Sequence, residues 1–273
     1  MFIFTEWHTK SFGVSFRVKE ILYAERTPYQ EVNVIEIEDF GKALIINNEV
    51  QVAEKDEAIY HEMLVHPVMF SHPSPEKILI IGGGDGGALR EVLKHDVEEV
   101  TLVEIDKRII EICRKFFPYL AKSFKDERVE IINQDGYEFV AGINKKYDIA
   151  ILDLTDPKGI AKKLASEKFY SKVSETLTNE GMVSAQVPNV LLHKKEALLV
   201  YSSIASAFPI SRIYSAPIPS LSGMWNFGLG SKKLSPEEIR KRDNKVKTSF
   251  YSKEFHKAIF EYGKIFERIL NIK

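Results

Sequence analysis

Four apolar residues, Ile78-Leu79-Ile80-Ile81, run directly into Gly82-Gly83-Gly84-Asp85-Gly86-Gly87, and a helical stretch through Leu89 and Val92 follows. A β-prone run, a glycine turn and a helix in that order predict the first unit of an open α/β sheet. Such sheets bind ligands beyond the carboxyl ends of their strands, where glycine lets backbone come close to the ligand. Gly82, Gly84 and Gly87 fit G-x-G-x-x-G. That match alone is weak, because a ligand-free strand-to-helix turn has the same spacing.

The alternation continues downstream. Val100–Ile105 predicts a strand, Ile109 to Phe116 a helix, and Val129–Ile132, Ile149–Leu152 and Met182–Ala185 further short strands. The expected architecture is a Rossmann-like, methyltransferase-like α/β fold: a parallel-rich sheet with helices on both faces. Residues 15–53 read differently, as strands with partial apolar–polar alternation, and Asn47-Asn48-Glu49 predicts a tight hairpin because Asn tolerates positive φ. So small an antiparallel sheet must pack on the larger domain or on another subunit. We expect an N-terminal β domain over 1–55, for oligomerisation and as a lid, and a catalytic domain over 56–273. Asp56 is expected to cap a helix through Tyr60 and Leu64 that Pro73 and Pro75 end, and the tail from Ser235 reads as mostly helical.

The 273 residues suffice for one core and a small accessory domain. The net charge is −1, with both signs interspersed, which argues against a nucleic-acid partner. Cys113 is the one cysteine, excluding an internal disulfide, and reads as a packed residue. Glu6, His8 and Lys10 argue against a signal peptide, and no apolar run reaches spanning length, so a cytoplasmic chain with no membrane partner is expected.

Glu104 closes the strand after the glycine loop, placed to accept ribose hydroxyl protons, while Asp106 reads as a helix cap. Asp135-Gly136 follows the third strand; an adenine contact and a plain helix cap fit it equally. NAD and an S-adenosyl nucleoside both suit these features. Asp85 separates them, because it would repel a pyrophosphate or the carboxylate of intact S-adenosylmethionine. Two like charges ~4 Å apart cost about 4 kcal/mol at an effective dielectric of ~20. That is close to a thousandfold in affinity. The loop therefore reads as a selector for a cationic donor tail.

The fourth strand ends in Asp153-Leu154-Thr155-Asp156-Pro157, two acids that face a common pocket or sit in a solvated turn. Gln51, Tyr60 and His61 precede the core on a segment able to cover that pocket. His61 and His66 are five apart with Glu62 between them, which is not HExxH, and no metal site is expected.

These motifs together resemble the spermidine synthases over nearly the whole chain. Gly82 to Gly87 is similar to that family's GGGDGG loop, Val50 to Glu57 to its VQ-x-x-E-x-DE segment, Tyr60-His61-Glu62-Met63 to its YHEM, and Asp153 to Pro157 to its D-x-T-D-P. Ile218-Pro219-Ser220 and Tyr251 to Phe260 echo later segments. The resemblance implies a polyamine aminopropyltransferase with no prosthetic group, using decarboxylated S-adenosylmethionine as co-substrate. It makes Asp153 the proton acceptor, with Gln30, Glu104, Asp135 and Gly136 holding the methylthioadenosine part alongside Gly82 and Gly84. Asp85 and His61 would touch the amine chain and Asp156 the acceptor. Gln51 and Tyr60 would orient the attacking nitrogen, Gln51 standing also among the donor-binding residues. A homodimer or homotetramer is implied.

The chain departs from the family pattern at three places: Ile160 where a proline is usual after D-x-T-D-P, Ser220-Leu221 where the family has Thr-Tyr, and Val187-Pro188-Asn189 after Gln186. All three bear on which amine is accepted, so putrescine, agmatine, cadaverine and a longer polyamine stay open. The alternatives are a methyltransferase using intact S-adenosylmethionine and a non-catalytic polyamine- or nucleoside-binding protein. A nicotinamide enzyme fits less well.

Overall fold

Asn47 and Asn48 take φ of 50° and 64°, the left-handed pair that a two-residue hairpin requires, and Ile46 pairs with Glu49 across them. This hairpin is one turn of a five-stranded antiparallel sheet ordered β1-β2-β3-β4-β5, formed by β1 (Phe2–Trp7), β2 (Gly13–Arg26), β3 (Glu31–Ile37), β4 (Gly41–Ile46) and β5 (Glu49–Ala53). The computed structural model describes residues 2–241 and 245–272. β1 lies outside the strand region expected from the sequence. Its six residues are mostly exposed and carry no clean alternation, so the pairing with β2 sets it.

After α1 (Glu57–Ser71) come β6 (Lys77–Gly82), α2 (Gly87–Val92), β7 (Glu99–Glu104), α3 (Lys107–Phe116), the single turn α4 (Pro118–Ala121), β8 (Val129–Asn133), α5 (Gly136–Gly142), β9 (Tyr147–Asp153), α6 (Glu167–Glu175), β10 (Leu177–Val187), α7 (Lys194–Ala207), β11 (Ile210–Ile218), β12 (Gly223–Ser231) and α8 (His256–Leu270). The second sheet has the order β11-β12-β10-β9-β6-β7-β8. β10, β9, β6, β7 and β8 run parallel, and β12 pairs antiparallel with both β10 and β11. This is the parallel-rich, helix-covered sheet that the sequence predicts.

Both faces of the second sheet are buried. Ile78 and Ile80 of β6 pack with Met63 and Leu64 of α1, Leu89 of α2 and Phe260 of α8, whereas Leu79 and Ile81 pack with Val140 of α5, Phe169 of α6 and Tyr201 of α7. The small sheet is covered on both faces over β3–β5, while β1 and β2 are largely exposed. Val32 and Val34 pack on Ile109, Ile112 and the buried Cys113 of α3, while Ile35 and Ile37 join the core shared with α1.

Two local expectations are corrected. Asp56 precedes α1 but makes no capping bond, because its carboxylate accepts from the amide and hydroxyl of Ser220 at 2.8 and 2.7 Å. Among the described residues, the tail is helical only over α8 and the short turn before it; Pro236 and the polar Lys245 to Ser249 stretch carry no helical face. Among the described residues, no helix is long and apolar enough to cross a membrane.

Candidate active site

β6, β7 and β8 build outward in one direction, and the chain then returns to place β9 on the other side of β6. Adjacent connections therefore leave the carboxyl ends of β6 and β9 in opposite senses and open a crevice there. Gly82 and Asp153 are register partners at that point. Gly82 has φ +80°, and a Cβ on it would lie 2.1 Å from the Asp153 carbonyl oxygen, so only glycine lets the two strand ends close up. The crevice opens into a cleft of about 1320 Å³, counted out to open solvent.

Asp153 stands at the end of β9 on the cleft wall. Its Oδ1 accepts from the Tyr60 hydroxyl at 2.7 Å, and its Oδ2 is buried with no hydrogen-bond partner among the described residues. Burial, reinforced by the nearby Asp85 carboxylate, pushes the Asp153 carboxyl up to about 6, against the pull of His61 and the Tyr60 hydrogen bond. Burial and the Asp153 charge hold the Tyr60 phenol well above its usual range, so it remains a donor.

Asp85 is fixed on the glycine loop, its Oδ1 accepting from the Gly87 amide at 2.6 Å. Behind it, His61 Nε2 lies 3.3 Å away, at ion-pair distance without hydrogen-bond alignment, and His61 Nδ1 is 2.7 Å from Glu57 Oε2. Arg90 closes the row with two bonds to Glu57, at 2.8 and 3.0 Å. Burial works against the imidazolium, but Asp85 and Glu57 outweigh it and hold His61 well above its usual range. Burial also opposes ionisation of Asp85 and Glu57, and His61 outweighs it, leaving both below the usual carboxylate range. His61 does not line the cleft, contrary to the expected direct contact. It buttresses Asp85 instead.

Beside the glycine loop, Glu104 at the end of β7 is buried, and burial pushes its carboxyl up to about 7 against the hydrogen bond it accepts from the Asp106 amide. Gly84 must be small here, since a Cβ would lie 2.9 Å from Glu104 Oε2. Gln30 reaches over from the N-terminal sheet and donates to Asp106 Oδ2 at 3.1 Å, while Asp106 caps α3 through the Arg108 amide. Asp135 takes the helix-cap reading: Oδ1 caps α5 through the Tyr137 amide, while Oδ2 lies 2.5 Å from Lys163 Nζ, and both Asp135 and Gly136 line the cleft.

The other end is built mostly from residues that the sequence did not single out as site candidates. Asp156 and Gln51 line it, and so do Glu6, Glu49, Lys158 and His193. Glu6 accepts from the Val50 amide at 3.0 Å, and burial pushes its carboxyl up to about 8. Gln186 Oε1 and Trp225 Nε1 are buried without a partner among the described residues, and both residues line the cleft. Neither Glu6 nor Trp225 carries a sequence signal of its own: pairing of β1 with β2 places the first and pairing of β12 with β10 and β11 the second. Leu221 and Ile160 also line the cleft, whereas Asn189 is used structurally, bonding the Met224 carbonyl and the Leu191 amide.

Among the described residues, two groups have ligand atoms close enough for a metal ion: His61 with the half-buried Asp85 and Asp153, and the fully buried Glu62, His66 and Glu91. The second is already consumed by structure, since Glu62 accepts the amides of Ser249, Phe250 and Tyr251 and Glu91 pairs with Arg90 and Lys94. The first presents carboxylate oxygens to the cleft and suits any compact cation, an alkylammonium included.

The sequence profile described as the spermine/spermidine synthase domain matches residues 57–242, and that of the spermidine synthase tetramerisation domain matches residues 2–54. The chain is 40% identical over 272 residues to a polyamine aminopropyltransferase of Shouchella clausii, covering 98% of this chain and 99% of that protein. It is 42% identical over 265 residues to one of Methanocaldococcus jannaschii, covering 94% and 90%. A crystal structure of a spermidine synthase in complex with the transition-state analogue AdoDATO superposes with a TM-score of 0.92 at 35% identity, covering 99% of this chain and 95% of that one. The Thermotoga maritima spermidine synthase gives 0.91 at 35%, covering 99% and 94%.

Proposed function

The chain belongs to the spermine/spermidine synthase family, and from that membership we propose that it moves the aminopropyl group of decarboxylated S-adenosylmethionine onto a polyamine acceptor. The observation that carries this reading is Asp153: one carboxylate oxygen is fixed by Tyr60 and the other is buried and unpartnered beside a second acid, Asp85.

The acceptor's attacking amine must lose a proton before its nitrogen has a lone pair to use. Free alkylamines titrate near ~10 and carboxylates near ~4, so the transfer to a carboxylate is uphill in water. Asp153 narrows the gap because its own affinity for a proton is raised, and a donor sulfonium nearby would lower that of the amine. Oδ2 takes the proton, and the nitrogen lone pair attacks the methylene next to sulfur. The C–S pair then leaves with sulfur as the neutral thioether methylthioadenosine. Asp85 accepts the ammonium of the aminopropyl chain, held in place by His61. Glu104 accepts the ribose hydroxyls, Gln30, Asp135 and Gly136 flank the rest of the nucleoside, and Gly82 and Gly84 leave room for it. Gln51 and Tyr60 orient the attacking nitrogen, and Asp156 meets the acceptor's remote cation. Alignment of the two bound reactants supplies much of the rate.

Domain roles follow the same reading. We divide the chain at residue 55, with the N-terminal sheet mediating a homodimer or homotetramer; its exposed Phe2, Ile3 and Ile21 and the tetramerisation profile support this.

The test is methylthioadenosine release from decarboxylated S-adenosylmethionine with putrescine, cadaverine, agmatine, norspermidine and spermidine. Release with at least one amine supports the transfer. Silence with all five, from folded protein that still binds the donor, refutes it.

A further inference from the structure

The acceptor end of the cleft holds an internal cation. Lys158 lies on the loop after β9, and its ammonium pairs with Glu49 on β5 and sits 3.6 Å from Asp156 Oδ2. Glu49 and Asp156 lie on different domains of the cleft, so this one side chain straps them together. The Lys158 side chain is 53% exposed and that of Asp156 only 9%, so the lysine reaches inward from solvent to a buried carboxylate. Asp156 is the carboxylate assigned above to the acceptor's remote cation, and Lys158 already sits on it.

The charge count at this end then decides what fits. Glu6, Glu49 and Asp156 are the acids, and Lys158 is the base. Burial keeps Glu6 protonated at neutral pH, and burial together with His193 holds the His8 imidazole below its usual range and uncharged there. His193 is the remaining titratable neighbour. Apart from His193, two carboxylates face one ammonium here, which leaves room for one further positive charge.

We propose that Lys158 is a specificity-determining residue, restricting acceptors to those that carry one cation beyond the attacking amine. A diamine, or its guanidino counterpart, satisfies the residual charge. A triamine brings two remote cations and would crowd the second against Lys158 or force the lysine out. This inference rests on the transferase reading above.

The experiment compares kcat/KM for putrescine and spermidine in the wild type, in Lys158→Met, and in Lys162→Met, which removes the same charge from an exposed residue of the loop that does not line the cleft. The wild type is expected to favour putrescine. Lys158→Met should shift the putrescine-to-spermidine ratio by about tenfold or more towards spermidine. Lys162→Met should leave it unchanged. An unmoved ratio in Lys158→Met, an equal shift in Lys162→Met, or a wild type that favours spermidine overturns the proposal while methylthioadenosine release upholds the transfer. A wild type silent with both amines, and with the rest of the panel, overturns the transferase reading itself.

Discussion

The Tyr60 hydroxyl donates to Asp153 Oδ1 at 2.7 Å across 93 positions of sequence, and so leaves Oδ2 as the carboxylate's one unengaged oxygen. Tyr60 comes from α1 and Asp153 from the end of β9. The hydrogen bond orients the Asp153 carboxylate and holds down an affinity for protons that burial would otherwise raise further.

Asp153→Asn should cut turnover by about a thousandfold or more, because the amide cannot take the amine's proton, while the donor Kd changes little. Tyr60→Phe should cost roughly ten- to a hundredfold and leave some turnover. The pH profile separates the two roles. Asp153 must be ionised, so kcat/KM should rise with pH through about 6. In Tyr60→Phe, loss of the hydrogen bond should move that limb upward. Near-wild-type turnover in Asp153→Asn, or a limb that ignores Tyr60→Phe, would remove the assignment.

Glu6 gives a stability prediction of unusual sign. Its carboxyl is raised from 4.5 to about 8 in the fold. Between those values the folded chain holds the proton more than the unfolded chain, so stability falls as pH rises across the window. Each tenfold change in proton affinity is worth ~1.4 kcal/mol, so the loss is at most a few kcal/mol. Glu6→Gln keeps the neutral shape and should flatten the decline in Tm between pH 5 and pH 8. An equally steep decline in the variant would mean that other groups, such as Glu104, cause it.

Much of the fold is visible in the sequence because it is written locally. The β6 run and its glycines, the Asn47-Asn48 turn and the helix over Ile109 to Phe116 each carry their own periodicity or φ requirement. The placement of Asp85, Glu104, Asp135 and Asp153 on one cleft follows from strand ends that alternate with helices, whereas Gln30 comes to it from the turn between β2 and β3. What stayed hidden depends on tertiary contacts. His61 reads as a ligand contact, yet its ring faces Glu57 and Asp85. Asp56 reads as a cap, yet Ser220, 164 positions away, captures it. Glu6 and Lys158 meet only because a lone edge strand and a loop after β9 border the same opening.

Gly87→Ala tests the buttress without replacing any charged group. A Cβ there would lie 2.2 Å from His61 Cε1, and the ring is enclosed, so it must move. Overpacking of this kind costs about 1–3 kcal/mol. Displacing His61 should also loosen Asp85 and weaken donor binding by roughly tenfold, with acceptor KM little changed. If Gly87→Ala binds donor as tightly as the wild type, the His61–Asp85 contact does not matter for the donor site.

Asp85→Asn addresses discrimination between decarboxylated and intact S-adenosylmethionine. Counted as a bare charge, Asp85 would exclude the intact donor's carboxylate by close to a thousandfold. The structure reduces that figure. Glu57, His61, Asp85 and Arg90 form a row of alternating sign whose charges cancel, so the donor's tail meets a dipole with Asp85 at its near end. Discrimination then rests on proximity, since Asp85 faces the cleft and the compensating imidazolium lies one residue behind it. We expect the wild type to prefer the decarboxylated donor by roughly ten- to a hundredfold in Kd, measured calorimetrically at one ionic strength. Asp85→Asn should bring the ratio near unity, mostly by weakening the cationic donor. A ratio unaffected by the substitution would place selection elsewhere in the cleft, and a wild type that prefers the intact donor would revive the methyltransferase reading.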